Sequence, residues 1–216
     1  FPDMAYLLKD SGMSGVFHGI ESFHPSASVL LGKGWSGKHG KEFLPKLYHD
    51  IWNREVAQHL SFIVGITGDT LENVWDTAKW FVDNDMASSR FLPLGLFGND
   101  SSKSRKTIQS EFDMNFEKYG YTLLPGGTLG RTNWKNDNWT KQLAWDTVEE
   151  LTQYMSPHQR YASWWVQSLL WHGYSKEMIA HTKKSDWPNN QIRKRTKSFM
   201  DRYFAMVLGE DPTLQF

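Results

Sequence analysis

Between Leu60 and Thr70 the chain passes from an apolar run into a glycine-bounded turn and then into a helical period. Phe62, Ile63, Val64 and Ile66 fill four of five successive positions, the pattern of a strand buried on both faces. Asp69 and Glu72 have the spacing of a capping box. Beyond them Leu71, Val74, Trp75, Ala78, Phe81 and Val82 recur on one helical face. A shorter run, Val16 to Ile20, ends in the carboxylate of Glu21, and a third covers Ala87 to Leu94. Strands are therefore predicted over residues 15–21, 59–65 and 87–94. A helix from about 41 to 53 carries Phe43, Leu44, Leu47, Tyr48, Ile51 and Trp52 on its buried stripe, with Pro45 acceptable only in its first turn. A leading helix sets Met4, Leu7 and Leu8 at helical spacing and stops at Gly12. Alternating strands and helices at this spacing imply parallel strands with right-handed crossovers. A doubly wound sheet and a piece of a (β/α) barrel both satisfy the pattern.

After Leu94 the texture changes. Residues 95–105 form a Gly/Ser/Asn/Lys loop, which sets a boundary between residues 1–98 and 99–216. A helix carrying Ile108, Phe112, Phe116 and Tyr119 ends at Gly120, and Tyr121 to Leu124 reads as a short strand before Pro125-Gly126-Gly127. The remainder reads as helices near 140–155, 158–172, 175–183 and 189–208. Most of the eleven tryptophans lie in Trp134–Trp187, and Trp164, Trp165 and Trp171 read as a packed core of this extension more than as a ligand wall. Arg193, Lys194 and Arg195 read first as a solvated helix face.

Composition narrows the classes. Twenty-four basic and twenty-four acidic residues cancel, so a dedicated nucleic-acid or membrane-surface protein is not indicated. No apolar run approaches the roughly 20 residues of a membrane span, and no signal peptide is visible, so a cytoplasmic location is expected. Cysteine is absent, which removes disulfides, cysteine nucleophiles and thiolate metal ligands from this chain. The chain begins at Phe1-Pro2, inside a helical pattern, and the expectation is a fragment of a longer protein.

Common catalytic motifs are missing: no His-Glu-x-x-His, no phosphate-binding glycine loop, no Gly-x-Ser-x-Gly elbow. What remains is the pair of strand ends. Alternation places Phe17, Gly19 and Glu21 on one face, and Ser61, Ile63 and Gly65 on one face of the next strand. A carboxylate at such a strand end accepts hydrogen bonds from a hydroxyl or ammonium group. Gly65 would let a planar ring lie against the backbone, with Ile63 or Ile66 as its apolar floor. That describes a site for a flat heterocycle bearing a polar sugar.

The block Gly12-Met13-Ser14-Gly15-Val16-Phe17-His18-Gly19-Ile20-Glu21-Ser22, followed by Leu31-Gly32-Lys33-Gly34, resembles the fourth strand and following loop of radical S-adenosylmethionine enzymes. Phe62-Ile63-Val64-Gly65-Ile66-Thr67-Gly68-Asp69-Thr70 resembles their fifth strand, with Thr67 where proline is usual and Asp69 where glutamate is usual. The resemblance covers roughly residues 2–94. It implies an α/β fold: the C-terminal part of a partial, TIM-like (β/α) barrel of parallel strands, followed by a mainly helical extension. It also implies S-adenosylmethionine and a 4Fe–4S cluster as cofactors, the first cleaved reductively to a 5′-deoxyadenosyl radical. The Cys-x3-Cys-x2-Cys cluster ligands of the family are expected upstream, in a missing N-terminal half, so this polypeptide alone should not perform the chemistry on its unknown substrate. Carried over by position, Glu21 would contact the ribose or amino group, with Ser22 a weaker candidate. Ile63, Gly65 and Ile66 would bracket the adenine. Arg90 would clamp a ligand carboxylate, or else is an edge arginine paired with an acidic neighbour. Two rivals stand beside this reading: a non-catalytic carbohydrate- or nucleic-acid-binding module using the tryptophans, and a cluster-free α/β domain of a larger assembly.

Overall fold

The computed structural model describes residues 2–33, 37–96, 111–126, 132–160, 175–181 and 183. Its centre is a three-stranded parallel sheet in the order β1 (Gly15–Glu21), β2 (Ala57–Val64), β3 (Ser88–Pro93). All three strands fall where the apolar runs predict them, and both pairings are parallel. Seven of the eight residues of β2 are buried, as expected of the central strand of a sheet. The described residues show an α/β fold without barrel closure.

The connections carry helices. After α1 (Pro2–Asp10) and β1 come α2 (Pro25–Leu30) and α3 (Gly37–Lys46), the latter continued by a π-helical turn, Leu47–Ile51. Helix α4 (Leu71–Asp83) joins β2 to β3 and buries Val74, Thr77, Ala78 and Phe81. An aromatic series runs across the covered face of the sheet: Phe23 lies 5.3 Å from Phe62, and Phe62 lies 5.0 Å from Phe91, centroid to centroid.

Three local expectations are corrected. Pro45 lies near the end of its helix, not in the first turn, because α3 begins at Gly37. Proline leaves the carbonyl four residues back without its helical donor. Here that carbonyl, Lys41 O, accepts from Trp80 Nε1 at 3.2 Å, and the backbone widens into the π turn immediately afterwards. In α1 the apolar residues face outward: Met4, Leu7 and Leu8 are exposed while Ala5 is buried and its carbonyl accepts from Trp52 Nε1 at 2.9 Å. The third correction concerns the cap of α4. Thr70 takes that position, its hydroxyl accepting from Asn73 N at 3.2 Å, which leaves Asp69 one residue outside the helix.

Beyond residue 96 the described chain forms α5 (Glu111–Met114), a 3-10 turn (Phe116–Tyr119), the antiparallel pair β4 (Thr122–Leu124) and β5 (Asn133–Lys135), helix α6 (Lys141–Met155) and α7 (Lys176–His181). β4 lies within the short strand read at Tyr121 to Leu124, and its partner β5 is the departure from a mainly helical expectation. Trp134, Trp139, Ala144, Leu151 and Met155 join Leu60, Phe62 and Phe91 in one buried cluster, so this part of the extension shares the core of the sheet. The proposed burial of Trp164 and Trp165, and most of the helices expected near 158–172 and 189–208, lie outside the described residues.

The outer edge of β3 is closed by a side chain. Gln159 accepts from Ser89 N at 2.9 Å through its amide oxygen, and its amide nitrogen donates to Ser89 O at 3.1 Å. The next residue's N–H donates to Ala87 O, and Arg160 reaches Asp85 at 2.9 Å. A primary amide has the donor and acceptor of a peptide group, so Gln159 satisfies the strand as a neighbouring strand would. No described helix is long and apolar enough to cross a membrane.

Candidate functional site

The C-terminal end of β1 is irregular. Gly19 pairs with Ser61 but Glu21 pairs with Phe62, so one residue is extra on β1, and Glu21 adopts φ 68°. A left-handed conformation is uncommon for a residue with a side chain and persists only where the surroundings enforce it. The bulge sends Ile20 into the core and turns Glu21 back along the strand. A Cβ on Gly19 would lie 2.7 Å from Glu21 Oε1 and 3.7 Å from Lys33 Nζ, so the carboxylate rests over the α-carbon of Gly19. Lys33 Nζ lies 3.5 Å from that oxygen and donates to Gly19 O at 2.9 Å.

The carboxylate thus belongs to a row across the open face of the sheet. Gly19 pairs with Ser61, and Ser61 pairs with Arg90. With strands about 4.8 Å apart, the acidic and basic ends of the row stand on strands roughly 10 Å from one another. Arg90 is exposed, and among the described residues no carboxylate forms an ion pair with it. One step toward the strand ends, half-buried Ile63 and Leu92 are paired neighbours on the same face. One step the other way, Phe17 stacks on His59 at 5.6 Å, and His59 Nδ1 lies 2.9 Å from Ser88 Oγ. Burial, reinforced by the charge of Arg90, lowers the imidazole of His59 to about 4.

Of the six residues singled out in the sequence, the structure brings Glu21, Ile63 and Arg90 onto this open face. Ser22, Gly65 and Ile66 have other positions. Ser22 is buried and donates to Asp69 Oδ2 at 2.6 Å. Ile66 is fully buried. Gly65 has φ 105°, and a Cβ there would collide with the ring of Trp134. A planar ring does lie against this glycine, but it is the indole of the same chain. Trp134 donates from Nε1 to Leu94 O at 3.1 Å, and Gly65 O accepts from Tyr121 Oη at 2.9 Å and from Asn136 Nδ2 at 3.1 Å.

The turn after Gly65 is equally sealed. Asp69 O accepts from Asn138 Nδ2 and Trp139 Nε1, at 3.0 and 2.9 Å. Burial raises the pKa of the Asp69 carboxyl, and its bonds from Ser22 and Thr70 offset this only in part. Sequence reasoning gave no role to Lys33, Trp134, Tyr121 or Asn136. Lys33 stands within the quoted glycine turn and was within reach. The other three approach Gly65 from 56 to 71 residues away, with no local pattern to reveal them.

No family model, no curated protein and no solved structure matches the chain.

Proposed function

We propose that the open face of the sheet is the S-adenosylmethionine-binding part of a radical enzyme. The carrying observation is the row of Glu21, Ser61 and Arg90, in which a carboxylate on a strained backbone and an exposed guanidinium stand on either side of the buried Ser61. The ligand is a zwitterionic amino acid joined to a nucleoside, and the row offers complementary groups: Glu21 for an ammonium or a ribose hydroxyl, Arg90 for the carboxylate. Ile63 and Leu92 supply apolar surface beside them. In this reading Gly65, Ile66 and Ser22 support the site by holding the neighbouring turn, and do not touch the ligand.

A 4Fe–4S cluster does not fit this chain. It has no cysteine, and the described residues hold no group of three or more potential metal ligands. Cluster ligands, in this proposal, come from another stretch of polypeptide, and the residues here bind and orient.

The test is calorimetric titration of the 216-residue chain with S-adenosylmethionine. Binding in the millimolar range is expected, because one side of the ligand lacks its partner. Glu21→Ala and Arg90→Ala should each weaken it by roughly tenfold to hundredfold, the worth of one charge-assisted hydrogen bond. Unchanged affinity in both variants, or no binding at about 10 mM ligand, overturns the assignment.

A further inference from the structure

A concavity lies between α6 and the β4–β5 hairpin. It is an open groove of about 1080 Å³ whose walls include Pro125 and Asn133 from the hairpin and one long face of α6. Helix α6 turns Ala144, Thr147, Leu151 and Met155 into the core. Its other face presents Trp145, which is 47% exposed. Together with the groove it lines, this indole offers an exposed aromatic plate outside the buried stripe of α6.

The groups beside that indole are polar and regularly placed. Gln142, Asp146, Glu149 and Gln153 succeed one another at helical spacing along the groove. Gln142 Nε2 donates to Asp146 Oδ1 at 2.7 Å, which fixes the carboxylate next to Trp145. We infer that the groove binds a neutral oligosaccharide, with a sugar ring stacked on Trp145 and its hydroxyls bonded to Asp146, Glu149 and the flanking amides.

The lining discriminates among ligands. Among the described lining residues two carboxylates stand against the ammonium of Lys141, a balance that disfavours phosphate and so nucleotides and nucleic acids. The polar series would be stripped of water by an apolar helix without gaining partners. A sugar ring satisfies both demands, because its C–H face suits an aromatic plate and its hydroxyls both donate and accept. This site is independent of the S-adenosylmethionine reading and shares none of its residues.

The experiment is titration of the full 216-residue chain with maltotriose, cellotriose and triacetylchitotriose, with ATP as the anionic comparison. Tryptophan indole N–H resonances give the site readout. At least one trisaccharide should bind and shift a single exposed indole signal, assigned by its loss in Trp145→Phe. Trp145→Ala should weaken binding at least roughly tenfold, and Asp146→Asn by a smaller factor. Glu21→Ala should leave it unchanged. No binding by any of the three sugars overturns the inference. So does preference for ATP, or sugar binding that survives Trp145→Ala in a protein with wild-type unfolding behaviour.

Discussion

The ends of β1 and β2 are neighbours with similar sequence texture, each an apolar run closing on glycine and an acidic residue, yet they are built to opposite purposes. At the end of β2 the Gly65 and Asp69 carbonyls and the Thr67 hydroxyl are all matched. Gly65 O takes two side-chain donors, Asp69 O takes two more, and Trp134 lies on the glycine. At the end of β1 the carboxylate of Glu21 and the ammonium of Lys33 remain 20% and 32% exposed over Gly19. Both glycines are there because another group occupies the place of a side chain. In one case that group is a rigid indole, in the other a movable carboxylate. The first arrangement is packing, and the second leaves groups available to a ligand.

The largest expected effect comes from breaking the sealed end. Trp134→Ala removes a fully buried indole and should lower unfolding free energy by about 3–5 kcal/mol, measured by urea denaturation. Next comes the matched glycine pair. Gly65→Ala meets the Trp134 ring and a positive φ, so a loss of about 2–4 kcal/mol is expected. Gly19→Ala meets only the flexible ends of Glu21 and Lys33 and should cost under about 1 kcal/mol, while displacing the carboxylate and, under the proposed function, weakening S-adenosylmethionine binding. Equal stability losses in the two glycine variants would erase the distinction between the ends.

The smallest effect concerns Asp69. Its folded-state pKa is raised, so its contribution to stability is fully present below the ordinary carboxylate value of about 4 and is lost as pH rises through the raised value. Asp69→Asn should therefore flatten stability against pH across that window. A wild-type slope retained in the variant would show that another group is responsible.

Much of this fold is written locally. β-Branched and aromatic runs marked the strands, and the period from Leu71 to Val82 marked α4, because burial on known faces leaves a regular imprint. What was not legible is what depends on distant partners. A glycine in a strand–helix turn carries the same letter whether a ligand or Trp134 covers it. Three residues, Asn133–Lys135, are too short for alternation to show β5. The outward stripe of α1 shows the reverse failure, since periodicity gives a face but not the direction in which it points. The carboxylate at Glu21 was readable as chemistry. Its left-handed backbone and its place over Gly19 were not.

The amide clasp on β3 also has a meaning in time. Ser89 and Gln159 are 70 positions apart. During synthesis at about 5–20 residues per second, that interval lasts roughly 4–14 s, through which β3 has left the ribosome with its outer edge unprotected. Slower elongation between residues 90 and 160 would lengthen the time in which this edge can meet a wrong strand.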